Sequence, residues 1–288
     1  MKHVPPVTLA IVVLFLVAQV IGLFILDAYI DESASSEAGE LVFESPPFNI
    51  ERPELEKSTA YLFIVAAIGI GTLLIFLLMK FKQARLWKVW YFLSIAVTLT
   101  VAFAALMPDI LALILAVVLG LMKVLRPNFY SHNLSELFIY AGLAAIFVPL
   151  MNIFSVVMLL IIISAYDMYA VWKSKHMVKL AKFQSSTNIF AGLFIPYDKK
   201  GIKASAPGGE GKKVQTAILG GGDIGFPLLF TGVIMMEFGW SALIISFTTA
   251  FSLLWLLWKG KRDTFYPAMP YLSAGCFIGF GAVWLLAL

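Results

Sequence analysis

Nine runs of apolar residues, at 5–26, 59–79, 86–107, 109–122, 134–150, 152–172, 214–236, 239–258 and 265–287, take up most of this 288-residue chain. A membrane span needs about 20 mostly apolar residues, and all but 109–122 come near that length. Starting at Pro108 and running to Leu125 would give that run enough rise as well. Hydrophobic residues make up 61% of the chain and charged residues 13%, against about 25% charge in a soluble domain. So much apolar surface needs lipid to cover it. The pattern predicts an all-α, polytopic protein with nine transmembrane helices.

The basic residues set the direction. With a cytoplasmic N-terminus, nine spans leave only Arg52 and Lys57, of 21 Lys and Arg residues, on the outer side. That alternation follows the positive-inside rule and places the C-terminus outside. The net charge of +4 is therefore a topology signal, and it does not point to nucleic acid. The first run follows Lys2 but exceeds the 7–15 apolar residues of a signal peptide, so it reads as a retained span. Three regions result: 1–172 with helices 1–6 and an external acidic loop at 27–58, a basic cytoplasmic loop at 173–213, and 214–288 with helices 7–9. The acidic loop, with Asp31, Glu32 and six further glutamates between 37 and 56, reads as a solvated segment with little core. In the basic loop, Ala206–Gly211 reads as a flexible linker. Ile189–Tyr197 is apolar enough to lie on the membrane or pack against the bundle. Asn133 and Glu136 stand at capping-box spacing before the fifth span.

Away from the ends of these runs two carboxylates remain, Asp167 and Asp223. A charge near the bilayer centre costs about 2.5–3.5 kcal/mol on insertion scales, so each needs a reason. Asp167 lies about 9 Å from the cytoplasmic end of the sixth span at the helical rise. Asp223 lies roughly 14 Å from that side if the seventh span is helical from 214. Three readings compete: structural hydrogen bonding, a cation or proton relay in a channel or transporter, and a catalytic pair. Two carboxyl groups close together share a proton, so that one is base and the other acid at one pH. Such a pair activates water for attack on a peptide carbonyl.

The neighbours favour the catalytic reading. Gly220-Gly221-Gly222 precedes Asp223 and lets another backbone come close. Tyr166 precedes Asp167 and flanks it, since adjacent helix residues do not share a face. Pro267-Ala268-Met269-Pro270 opens the ninth span and keeps its start irregular, which membranes tolerate only where protein or water lines the backbone.

Tyr166-Asp167, Leu219-Gly220-Gly221-Gly222-Asp223 and Pro267-Ala268-Met269 together resemble the YD, GxGD and PAL motifs of the presenilin and signal peptide peptidase family of intramembrane aspartyl proteases. The chain looks like an archaeal presenilin homologue. The resemblance implies catalysis by Asp167 and Asp223. It implies substrate contact and site shaping by Gly220, Gly221, Gly222, Pro267, Ala268 and Met269, with Tyr166 beside them. Met269 stands where the family has Leu, a swap of similar volume. The expected activity is cleavage of single-pass membrane proteins within or near their spans, at the cell membrane, by the chain alone or as a homo-oligomer. The resemblance also implies stepwise cuts and self-cleavage in the 173–213 loop. The partners are then transmembrane substrates and the lipid bilayer, and no cofactor is implied. His3, His132 and His176 lack ligand spacing and read as solvated, so no metal site is expected. Cys276, the only cysteine, cannot form a disulfide within the chain.

Overall fold

The computed structural model describes residues 4–38, 41–81, 83–126, 128–174, 190–197, 216–260 and 266–288. These residues hold nine helices of 17 residues or more. They are α1 (Pro5–Asp27), α3 (Ala60–Lys80), α4 (Ala84–Ala104), α5 (Asp109–Leu125), α6 (Phe129–Phe147), α7 (Ile153–Tyr169), α8 (Gly221–Phe238), α9 (Leu243–Lys259) and α10 (Met269–Leu286). A short helix, α2 (Glu32–Ala38), lies in the acidic loop. The protein is thus mostly helical. Seven of its stretches are long and apolar enough to cross a membrane. One of them, Gly221–Lys259, contains both α8 and α9, joined by a 3₁₀ turn at Gly239–Ala242 where Gly239 has φ 61°. The 17-residue α5 is not among the seven.

The core is built around α6, which packs on α1, α4, α5 and α8. Twelve of its residues are buried, so this helix has protein on nearly every side. At Gly142 a Cβ would lie 1.9 Å from the Thr98 carbonyl oxygen, so α4 and α6 cross backbone to backbone. Gly275 and Gly279 likewise let α10 approach the α9 backbone. Small residues serve this purpose where lipid removes any hydrophobic drive for helices to associate. By contrast, α3 buries only Ala60 and Ile64. A helix that is apolar all round with so little protein contact belongs against lipid.

Three sequence expectations change. First, the fold is not wholly helical. β1 (Gly192–Pro196) and β2 (Thr216–Gly220) form a two-stranded antiparallel sheet, with Gly192 opposite Gly220 and Pro196 opposite Thr216. Of the two placements open to Ile189–Tyr197, its described part takes the second, because β1 packs on α1, α6 and α8. Second, the seventh helix begins at Gly221 instead of 214, with Gly220 extended at φ −65° and ψ 149° as its N-cap. A glycine run resists helix, and the residues before it gain ladder bonds to β1. Asp223 consequently sits in the first turn of α8, so the 14 Å depth worked from a helix at 214 does not hold. Third, α6 begins at Phe129, where the Asn128 side chain accepts a hydrogen bond from the Ser131 N–H at 2.9 Å. Asn133 and Glu136 therefore lie inside the helix, not at its cap.

The acidic loop is tied down more than its composition suggests. Tyr29 is buried and donates its hydroxyl to the Val101 carbonyl at 2.7 Å. The Phe48 N–H bonds the Asp109 carboxylate at 2.7 Å. The Ala206–Gly211 linker and Lys212–Gln215 lie outside the described residues.

Candidate active site

Asp167 stands near the end of α7 and is 8% exposed. Its Oδ2 accepts a hydrogen bond from the Met269 N–H at 3.0 Å, and the Ala268 backbone adds to that contact. Met269 is the first residue of α10. The first amides of a helix have no partner within it and carry the positive end of its dipole, so the start of α10 is a ready anchor for a carboxylate. Pro270 at the next position costs nothing, since its missing N–H would have been one of those orphans. Residues 266–268 are non-helical, and Pro267 and Met269 are buried. The Pro-Ala-Met stretch thus reaches Asp167 through its main chain. Tyr166 is 47% exposed on a different face of α7.

Asp223, half-buried, lies on α8, which packs against α7. The glycines before it have distinct surroundings. A Cβ on Gly220 would lie 3.3 Å from the Asp223 Oδ2, and one on Gly221 would lie 2.7 Å from the Tyr140 hydroxyl. A Cβ on Gly222 would meet only the Phe226 ring, at 3.3 Å. Gly220 and Gly221 therefore keep side-chain bulk away from the carboxylate and from α6. Pro227 follows inside α8 and offers no N–H to the Asp223 carbonyl four residues back. One residue on, the Ile224 carbonyl accepts from the buried Gln19 side chain of α1 at 3.0 Å.

Between α7 and α10 runs a cleft of about 330 Å³, lined by Ser164, Met168, Pro270 and Ser273 among others. Ser164 and Ser273 face each other there, 2.8 Å apart. Its lining includes the helix turn before Asp167 and the residue after Met269.

A further polar group lines one face of α6. His132, Asn133, Glu136 and Tyr140 are all buried. Glu136 forms an ion pair with Lys123 of α5 through one oxygen and accepts the Tyr140 hydroxyl with the other. His132 is buried, not solvated; its Nε2 meets the Gly192 carbonyl at 2.8 Å and its ring packs against Phe194. Glu136 is thus a further buried carboxylate, and Lys123 is its buried partner. The signal was present in the sequence: positions 132, 133, 136 and 140 fall on one face of a helix. Among the described residues no group of His, Cys, Asp and Glu could hold a metal ion.

Comparison with known proteins decides what this arrangement belongs to. The family described as signal-peptide peptidase, presenilin aspartyl protease matches residues 12–287. The chain belongs to that family. As a member it is an aspartic-type intramembrane endopeptidase and a multi-pass membrane protein. Two solved structures share the fold of this presenilin-type protease. Both are described as a presenilin family intramembrane aspartate protease, one in a C222 and one in a P2 space group. The first is 19% identical with a TM-score of 0.62, covering 97% of this chain and 99% of that one. The second is 18% identical with a TM-score of 0.64, covering 99% and 100%. No curated protein matches the chain significantly.

Proposed function

We propose that Asp167 and Asp223 are the catalytic pair of this presenilin-type protease, acting on single-pass membrane proteins. One observation carries the assignment: the carboxylate of Asp167 is fixed by the first amide of α10, while Asp223 follows the glycines of the adjoining helix. The ionised member takes a proton from water, and the oxygen adds to the peptide carbonyl carbon. The protonated member donates to the oxyanion. Collapse of the tetrahedral intermediate then breaks the C–N bond, with a proton passing to the leaving nitrogen. The proton belongs to the pair and not to either residue.

A helical substrate must unwind to be cut, and its freed amide groups then need partners in a dry setting. β2 supports a role as that partner. Its second edge has no neighbouring strand among the described residues. The Asn133 bonds to Phe194 turn that residue's main-chain groups away from β2. In an antiparallel ladder its partner Ile218 then turns outward too. An extended substrate adds to this edge as a third strand, ending at Gly220 beside Asp223. Lys212–Gln215 continue the same receiving segment in sequence.

The nine long helices and the lysine and arginine pattern support nine spans, with the N-terminus cytoplasmic and the C-terminus outside, in the cell membrane. Substrates then have external N-termini, and the enzyme works alone or as a homo-oligomer. Purified protein incubated with a transmembrane peptide tests the pair. Asp167→Asn and Asp223→Asn should each abolish product while the fold is kept, and full cleavage by either variant overturns the assignment. Equal cleavage of reporters in both orientations overturns the substrate direction.

A further inference from the structure

β1 has two edges. One pairs with β2. The other meets a side chain: the Asn133 Nδ2 donates to the Phe194 carbonyl at 2.9 Å, and the Asn133 Oδ1 accepts the Phe194 N–H at 3.1 Å. A primary carboxamide carries the same donor and acceptor as a peptide group, so Asn133 stands where a neighbouring strand would place its main chain. Asn133 and Phe194 are both buried. One residue before Asn133, His132 meets the Gly192 carbonyl at 2.8 Å, the next outward-facing group along the strand.

We infer that Asn133 is a positioning residue that fixes the register of the sheet receiving substrate, and so selects which peptide bond reaches the aspartates. This rests on the protease reading above. Strands slide relative to one another unless something pins them, and a slip of two residues keeps every side chain on its own face. β1 is pinned to α6 by the Asn133 carboxamide, β2 is pinned to β1, and β2 runs into Gly220 and Asp223. A substrate strand laid on β2 then meets the carboxylates at a position set from two strands away, by a residue that touches neither substrate nor aspartate.

The test compares wild type with Asn133→Asp and Asn133→Leu, using purified full-length protein, a single-pass peptide and mass spectrometry of all products. Asp keeps the size and one acceptor; Leu keeps the size alone. The expected result for Asn133→Leu is new cuts two residues from the main site and a KM raised roughly three- to tenfold, the scale of one net hydrogen bond. Its kcat at the original bond should stay within about twofold. Asn133→Asp should fall between Leu and wild type. A protein that merely lost stability would lose active enzyme without moving the cut. Hydrogen exchange on the unmodified, substrate-free protein gives a readout independent of either variant: the Phe194 amide should be protected. An unchanged product pattern in folded Asn133→Leu, or a rapidly exchanging Phe194 amide, overturns the inference while leaving the protease reading intact. Cleavage surviving in Asp223→Asn would instead strike at the protease reading itself.

Discussion

Glu136→Gln isolates the charge of the buried Lys123–Glu136 pair. Lys123 is 3% exposed and Glu136 is 1% exposed, so neither finds water if its partner is lost. Gln has the shape of Glu. Its amide oxygen accepts from Lys123, and its amide nitrogen donates to the Tyr140 hydroxyl. Both contacts survive and only the negative charge goes. A neutral hydrogen bond in a membrane bundle averages about 0.6 kcal/mol, whereas breaking a buried ion pair by removing one partner costs about 3–5 kcal/mol. The charge should therefore dominate, and Glu136→Gln should lose about 3 kcal/mol or more of unfolding free energy. Lys123→Met alone leaves Glu136 with only the His132 ring, 3.8 Å away, as a basic neighbour and should cost a similar amount. The double variant removes both charges and should recover most of the loss, so the two single costs should be far from additive. Reversible unfolding in mixed micelles of rising SDS fraction measures all four proteins. A Glu136→Gln protein within about 1 kcal/mol of wild type would refute the reasoning, because no uncompensated charge would then be buried at Lys123.

Three further expectations can be checked alongside. Gly221→Ala should reduce cleavage far more than Gly222→Ala, because its Cβ would press on the Tyr140 hydroxyl at 2.7 Å while Gly222 faces only the Phe226 ring edge; overpacking of that kind costs about 1–3 kcal/mol, read by activity and unfolding together. Met269→Leu should keep near-normal activity, with under about 1.5 kcal/mol of stability at stake, since its contact to Asp167 is made by the backbone. Burial pushes the Tyr29 phenol up to about 12 from about 10 in the unfolded chain. The folded state thus favours the neutral hydroxyl. Its contribution is whole below pH 10 and is lost as pH rises from 10 to 12, so wild-type stability should fall relative to Tyr29→Phe across that window in a pH series of unfolding.

The apolar runs made the helices legible, because lipid leaves the backbone few ways to satisfy itself and each run must close its own hydrogen bonds. Asp167 and Asp223 stood out for the same reason: an acid in such a run is costly. Met269 was placed near them by the two prolines, but its bond to Asp167 was not readable, since that contact uses the main chain. The sheet escaped because β1 and β2 are each only five residues long. β2 also runs directly into an apolar helix, so hydropathy alone merges the two. Glu136 and Lys123 escaped because each sits near the end of an apolar run, where charges ordinarily meet water. The burial of α6 among four other helices is a tertiary fact, and only the polar stripe at 132, 133, 136 and 140 hinted at it.

The second edge of β2, which pairs with no strand among the described residues, has a consequence for selectivity if substrate is received there as proposed. An edge offers only amide and carbonyl groups, and every amino acid except proline brings the same pair. An enzyme that receives its substrate there has little means of reading a consensus sequence. Discrimination passes to the guest: whichever span comes apart most cheaply near its end is the one that is cut. Glycines and β-branched residues, which weaken a helix, should mark preferred targets better than any motif, and a proline on the edge-pairing side should act as a veto. The protease would then survey the folding stability of its neighbours in the bilayer.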